Sequence, residues 1–278
     1  MGSLSHEVSV AARAAEVGAA VVRSAGLGAD ASVRAKGLPG DYVTDVDLAA
    51  ERAIRELLSA EGGGVGVHGE EGGGGAGGTD VADAWVVDPL DGTTNFSRGF
   101  WAVGVSVALV VGGEPVAGAV CAPFLGETWV AGRGQGAWRE ARGGGEGEGR
   151  GGSADRVRLR ISDRPVGRAV VATGFPFRRK DLLPRYLRTF EGALSRFEDL
   201  RRPGAAALDL AWVAGGVFEG FFELALAPWD VAAGGLLIEE AGGVVTDWAG
   251  GDGWLRGDIV AGSPGVHEVL LSLASDGG

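Results

Sequence analysis

The stretch Trp85-Val86-Val87-Asp88-Pro89-Leu90-Asp91-Gly92-Thr93-Thr94-Asn95-Phe96 constrains this chain more than any other. Three β-forming apolar residues, Trp85 to Val87, run straight into a carboxylate, a proline and a second carboxylate, the pattern of a buried strand that delivers acids to its end. Pro89 has no N–H to give a ladder, which predicts that the strand stops at Asp88 and the chain turns there. Across that turn Asp88 and Asp91 sit three apart, both able to point at one cation. The carbonyl of Leu90 between them is a hard oxygen of the kind magnesium takes. Gly92 permits close backbone approach to a ligand, and Thr93 and Thr94 open a helix whose free N–H groups face an anion. The four residues from Asp88 to Asp91 alone also have the composition of a surface turn.

Composition narrows the classes. The 278 residues suffice for one large domain or two closely packed ones, and 45% hydrophobic residues with a mean hydropathy of +0.14 describe a globular chain. A net charge of −12 argues against nucleic-acid binding and against anionic membrane surfaces. An acidic protein that handles phosphate needs cations to mediate. Cys121 is the only cysteine, so no intrachain disulfide forms; with no secretory signal and no long apolar run, the cytoplasm is the expected compartment. His6, His68 and His267 lack ligand spacing for zinc, Ser106 and Cys121 lack a nucleophile-elbow context, and no P-loop occurs. Glycine is abundant, at 53 residues, and its tracts near 62–78 and 143–152 read as loop insertions.

Along the chain the spacing predicts helices over His6–Ala25 and Thr44–Ala60, the second capped by Thr44 with Asp47 three residues on. A strand over Val65–His68 leads to Gly69-Glu70-Glu71. Strands follow near Ala102–Val111, Pro115–Cys121, Glu127–Ala131 and Gly136–Trp138. Further on, strands over Val157–Ile161, Ala169–Ala172, Val217–Leu224, Val244–Thr246 and Ile259–Ala261 alternate with helices over Leu182–Leu194, Pro203–Ala214 and Val231–Ala241. The pattern is α+β first and α/β second, with an expected boundary near residue 150: an N-terminal half, 1–150, and a C-terminal half, 151–278, that closes the site.

The run from Trp85 to Phe96 closely resembles the metal-binding signature of the inositol monophosphatase family. Three other stretches are similar to that family. Gly69-Glu70-Glu71 matches a segment whose first Glu is a metal ligand, here Glu70. Pro228-Trp229-Asp230-Val231-Ala232-Ala233-Gly234 matches the second signature, which implies Asp230 as a ligand; read by itself, Asp230 lies just before a helix as an N-cap. Arg201 to Ala211 resembles a family helix, with Pro203 and Ala205 replacing the commoner residues. Glu223, seven residues before Asp230, falls where the family binds a substrate hydroxyl; an exposed strand-end glutamate is the bland alternative. Ala227 stands where the family often has His. Lys36 and Asp47 fall where the family has a phosphate-side lysine and an acid near a third metal.

The resemblance implies a layered αβαβα sandwich, a homodimer, and magnesium-dependent hydrolysis of a small phosphomonoester with two or three ions per site. Glu70, Asp88 and the Leu90 carbonyl would hold one ion and Asp88, Asp91 and Asp230 another. Four carboxylates in one pocket repel one another without cations. Thr93, relayed through Glu70, would take the proton of the attacking water, and Gly92, Thr93 and Thr94 would hold phosphate oxygens. Asn95 after Thr94 favours the inositol phosphatase branch and inositol 1-phosphate. Histidinol-phosphate phosphatase and a non-catalytic regulator on the same fold stay open.

Overall fold

The hydroxyl of Ser5 accepts the N–H of Val8 at 3.4 Å and so caps the first helix, α1 (His6–Ala25), which ends where Gly26 takes φ 80°. The computed structural model describes residues 5–28, 34–35, 42–72, 81–141 and 156–275. A short antiparallel pair, β1 (Arg34–Ala35) and β2 (Tyr42–Val43), precedes α2 (Asp45–Glu61). At the head of α2 the expected capping box is complete: Thr44 accepts from the N–H groups of Val46 and Asp47, and Asp47 accepts from that of Thr44.

A seven-stranded sheet follows, built from β3 (Val67–Gly69), β4 (Ala84–Asp91), β5 (Gly104–Val111), β6 (Glu114–Ala122), β7 (Glu127–Gly132), β8 (Gly136–Ala141) and β9 (Arg156–Arg158) in sequence order. Its β3–β4 pair is parallel and the rest antiparallel. The short α3 (Thr93–Ser97) sits between β4 and β5. The remaining elements are β10 (Val170–Thr173), α4 (Leu183–Arg196), β11 (Asp199–Arg201), α5 (Ala206–Ala214), β12 (Gly220–Glu223), α6 (Pro228–Glu240), β13 (Val244–Thr246), β14 (Ile259–Gly262) and α7 (Pro264–Ser275). Their strands form a second mixed sheet in the order β11-β10-β12-β14-β13.

The layers stack as expected. Helices α1 and α2 cover one face of the large sheet, α5 and α6 lie between the two sheets, and α4 and α7 cover the far face of the smaller one. All nine residues of α5 are buried, as a helix apolar on every side must be when it sits between two sheets. Among the described residues no helix is long and apolar enough to cross a membrane.

Several boundaries move for identifiable reasons. Helix α5 starts at Ala206 rather than Pro203, because Gly204 adopts φ 92° just before it. Helix α6 starts at Pro228, a favoured first-turn position, so Asp230 lies inside the first turn and not ahead of it. Strand β9 covers only Arg156–Arg158, and the unanticipated α7 closes the described chain.

The largest correction concerns β4, which does not stop at Asp88. It continues through Pro89 to Asp91, pairing Asp88 with Ser106 and Asp91 with Gly104. Three steps on β4 therefore oppose two on β5, which is a β-bulge, and the bulge removes the demand on the N–H that Pro89 lacks. It also flips the side-chain parity. Trp85 and Val87 face the α1–α2 core and Val86 the α5–α6 core, but Leu90 rejoins the first group. In a regular strand Asp88 and Asp91, three apart, would point to opposite faces. The extra residue puts both on the α5–α6 side.

Candidate functional site

At the C-terminal end of β4 the bulge delivers Asp88 and Asp91 to the first turns of α5 and α6. Carboxylate oxygens of Asp88, Asp91 and Asp230 all lie within 4.8 Å of one another. Each acid is held by a backbone N–H: Asp88 by Leu90 at 2.9 Å, Asp91 by Ala207 at 2.8 Å and Asp230 by Ala227 at 2.7 Å. Asp91 thereby caps α5 and Asp230 serves the head of α6, so both acids orient themselves as they satisfy orphan helix donors. Ser106 donates to the Trp229 carbonyl at 2.9 Å and ties β5 to the start of α6.

Burial governs the protonation of this cluster. It pushes the Asp88 carboxyl well above the usual carboxylate range, with the charges of Glu70, Asp91 and Asp230 adding to the effect. Asp91 is pushed up to about 8 by burial and then by Asp230, and Asp230 to about 6 by burial and then by Glu70. Hard oxygen donors crowded beyond what they tolerate as anions are the donor set that a divalent cation relieves. The residues fit such an ion.

Glu70 approaches from β3. Its N–H donates to the Val87 carbonyl at 3.1 Å, and the next residue, Glu71, donates its N–H to the carboxylate of Glu51 at 2.7 Å. Glu51 is buried on α2 and also receives Arg55 Nε at 2.7 Å, while a Cβ on Gly69 would come within 2.8 Å of its carboxylate. The turn that carries Glu70 is thus seated on α2.

Asp47 reaches the site through Thr93. The Thr93 hydroxyl lies 2.9 Å from Asp47 Oδ1 and 3.2 Å from the Leu90 carbonyl, so its one proton is directed first to Asp47. The sequence reading routed that hydroxyl through Glu70 instead. Asp47 is fully buried, and burial raises its carboxyl above the ordinary range against hydrogen bonds from Thr44 and Thr93. Asn95 donates to the carbonyls of Ala102 and Pro203 at 2.7 and 2.9 Å and joins α3 to the approach of α5. Gly92 at φ 90° makes the turn possible; a Cβ there would stand 3.0 Å from the Ala102 carbonyl.

One cavity of about 430 Å³ gathers most of the expected residues: Glu70, Asp88, Leu90, Asp91, Gly92, Thr93, Thr94, Glu223 and Asp230 all line it. Lys36 lies outside the described residues. The Glu223 carboxyl rests on Gly174, where a Cβ would fall 2.0 Å from Oε2, and burial pushes it up to about 8. Two further groups line the cavity that sequence reasoning assigned no role. Asp209, 1% exposed on α5, keeps Oδ1 without a hydrogen-bond partner among the described residues, and burial raises its carboxyl well above the usual range. Its signal was present: one acid in an otherwise apolar helix. The other is the Phe175–Arg179 segment with Arg202, whose aromatic and basic residues carry no recognised spacing. Burial pushes the Cys121 thiol up to about 12, away from the reactive thiolate form.

An αβαβα sandwich with a carboxylate cluster at a strand end defines a class of metal-dependent fold, and comparison places the chain within it. The sequence profile of the inositol monophosphatase family matches residues 4–277, and this chain belongs to that family. A relative named "Nus factor SuhB" from Escherichia coli K12 is 40% identical over 238 residues, covering 85% of this chain and 83% of that one. The crystal structure of extragenic suppressor protein SuhB from Bartonella henselae superposes with a TM-score of 0.83 at 36% identity, covering 98% of this chain and 100% of the other. An IMPase from Thermotoga maritima gives 0.79 at 27% identity, covering 97% and 96%.

Proposed function

We propose that this chain is a magnesium-dependent phosphomonoesterase acting on a small polyol phosphate, with inositol 1-phosphate the first candidate. The observation that carries the reading is the buried trio Asp88, Asp91 and Asp230, whose oxygens converge within 4.8 Å. On this reading those three would hold one ion, and Glu70, Asp88 and the Leu90 carbonyl a second; the family resemblance assigns Asp47 to the side of a third. When bound, such ions lower the pKa of a water and neutralise charge on the leaving oxygen.

The chain's own groups do the rest. Because the Thr93 hydroxyl donates to Asp47, its oxygen lone pairs are turned to accept a proton from a water in the cavity. Asp47 then receives the proton Thr93 already shares with it. Backbone N–H groups of Gly92, Thr93 and Thr94 are the donors for phosphate oxygens. Glu223 exchanges hydrogen bonds with a hydroxyl of the alcohol. The site lies on the seam between an N-terminal half that supplies Glu70, Asp88 and Asp91 and a C-terminal half that brings Asp230 and Glu223. A homodimer and a cytoplasmic setting complete the proposal.

Two observations sustain rivals. Relatives 40% identical to this chain carry the name Nus factor, which favours a regulatory role on the same fold. Ala227 stands where the family often has His, so one polar contact to the alcohol is missing, which keeps histidinol phosphate as a substrate. Phosphate release should be measured from inositol 1-phosphate, histidinol phosphate, fructose 1,6-bisphosphate and adenosine 3′,5′-bisphosphate, each with magnesium, EDTA or added lithium. Magnesium-dependent, lithium-sensitive release from inositol 1-phosphate is the expected result. Release only from histidinol phosphate would select that substrate, and silence from folded, magnesium-binding protein would favour the regulator.

A further inference from the structure

The alcohol side of the cavity is not uniformly acidic. Of the three arginines that line it, Arg179 is held by Asp181 through contacts of 3.0 and 2.7 Å. Arg202 is held differently. Its guanidinium carbon stands 5.6 Å from the ring centre of Phe175 and 5.4 Å from that of Phe177, and no carboxylate among the described residues is at ion-pair distance from it. The two rings pack edge to face, and Phe175 continues edge-on into Tyr186 and Phe190, so the cradle is anchored in the core of the smaller sheet. On another side Nη1 rests against Gly204, where a Cβ would approach within 2.7 Å. Gly204 leads into the first turn of α5, which Asp91 caps, and Arg202 lines the same cavity as the carboxylate cluster. Its charge reaches Glu223 and Asp209, both of whose carboxyls it draws down against burial.

A guanidinium held by aromatic faces keeps its in-plane N–H groups for a planar or tetrahedral anion. A hydroxyl can accept from such a group, but an anion gains a charge-assisted bond roughly twice as strong. We propose that Arg202, in its Phe175–Phe177 cradle, forms an anion subsite for the alcohol half of the substrate, so that of two phosphomonoesters otherwise alike the protein prefers the one carrying a second anionic group, a carboxylate or a further phosphate. The proposal rests on the phosphatase reading above.

A matched pair of esters tests it. In 2-phosphoglycerate a carboxylate replaces one hydroxymethyl group of glycerol 2-phosphate, and the ester is otherwise the same. The wild-type protein with magnesium is expected to show the higher kcat/KM for 2-phosphoglycerate. Arg202→Gln should lower that preference about tenfold, the scale of one lost hydrogen bond to a charged group, chiefly through KM. Arg202→Lys should restore only part, since an ammonium lacks the planar fork. Equal kcat/KM for the two esters in the wild type overturns the subsite. So does an equal loss on both in Arg202→Gln, which would make Arg202 only a counter-charge for Glu223. Calorimetric binding of the same pair covers the case without turnover. Tighter binding of 2-phosphoglycerate that Arg202→Gln abolishes upholds the subsite while counting against the phosphatase reading, and equal binding overturns the subsite.

Discussion

Two walls of one cavity are assembled in opposite ways. From Asp88 to Asn95 every residue but Pro89 lines it, whereas the facing wall draws Gly174, Arg202, Asp209 and Glu223 from separate segments. The first wall owes its geometry to covalent neighbours and one bulge, and each acid on it is pinned by a nearby backbone N–H. The second exists only once β10, β12 and α5 have packed. Changes on the first wall should therefore act on chemistry while the fold persists, and changes on the second on binding.

The strongest way to break that contrast is Asp91→Asn. The amide oxygen can still accept from Ala207, so the cap of α5 survives, but the proposed cation ligand loses its charge. Turnover should fall on the order of a hundred- to a thousandfold, the scale seen when charge stabilisation is removed from a reacting centre, with the melting temperature nearly unchanged. Wild-type turnover would remove Asp91 from the site. A smaller effect is expected one step back from the cluster. Glu51→Ala frees the turn that carries Glu70 and should weaken manganese or magnesium binding about tenfold, with Glu51→Gln recovering part; calorimetric titration of the metal decides it.

On the facing wall, Gly174→Ala would drive a methyl into the Glu223 carboxylate. It should raise KM severalfold while metal affinity stays at the wild-type value. A parallel loss of metal affinity would show that the two walls are not separable. The smallest and most general effect concerns pH. Asp91 and Glu223, both pushed up to about 8, retain protons in the folded state that the unfolded chain releases near pH 4. Stability of the metal-free protein should therefore fall as pH rises from about 4 to about 8 and level off above. Melting in EDTA should occur at a higher temperature at pH 6 than at pH 8, and magnesium should raise it more at pH 8, where it displaces fewer protons. An EDTA melting temperature that climbs from pH 6 to pH 8 would contradict the assignment.

Legibility in the sequence divides along the same line as the walls. Asp88, Asp91, Gly92 and Thr93 could be read directly because a contiguous run carries both their chemistry and their spacing. Glu70 and Asp230 were singled out by the family resemblance of their short runs, and both line the same cavity. Asp209 and Arg202 could not be read so, because an acid in an apolar helix and an arginine after an arginine become a site only through what faces them.

Even where the residues were legible, their arrangement was not. Local composition alone determined that acids would gather at a strand end and that helices would lie close to His6–Ala25 and Thr44–Ala60. Tertiary structure decided that β4 runs through Pro89 and that Thr93 turns to Asp47. It also decided that Asp230 lies inside the first turn of α6. The physical reason is parity and partnership. A strand's pairing is set by β5 as much as by β4, and the extra residue that β5 leaves unmatched is what turns two acids, three positions apart, onto the same face.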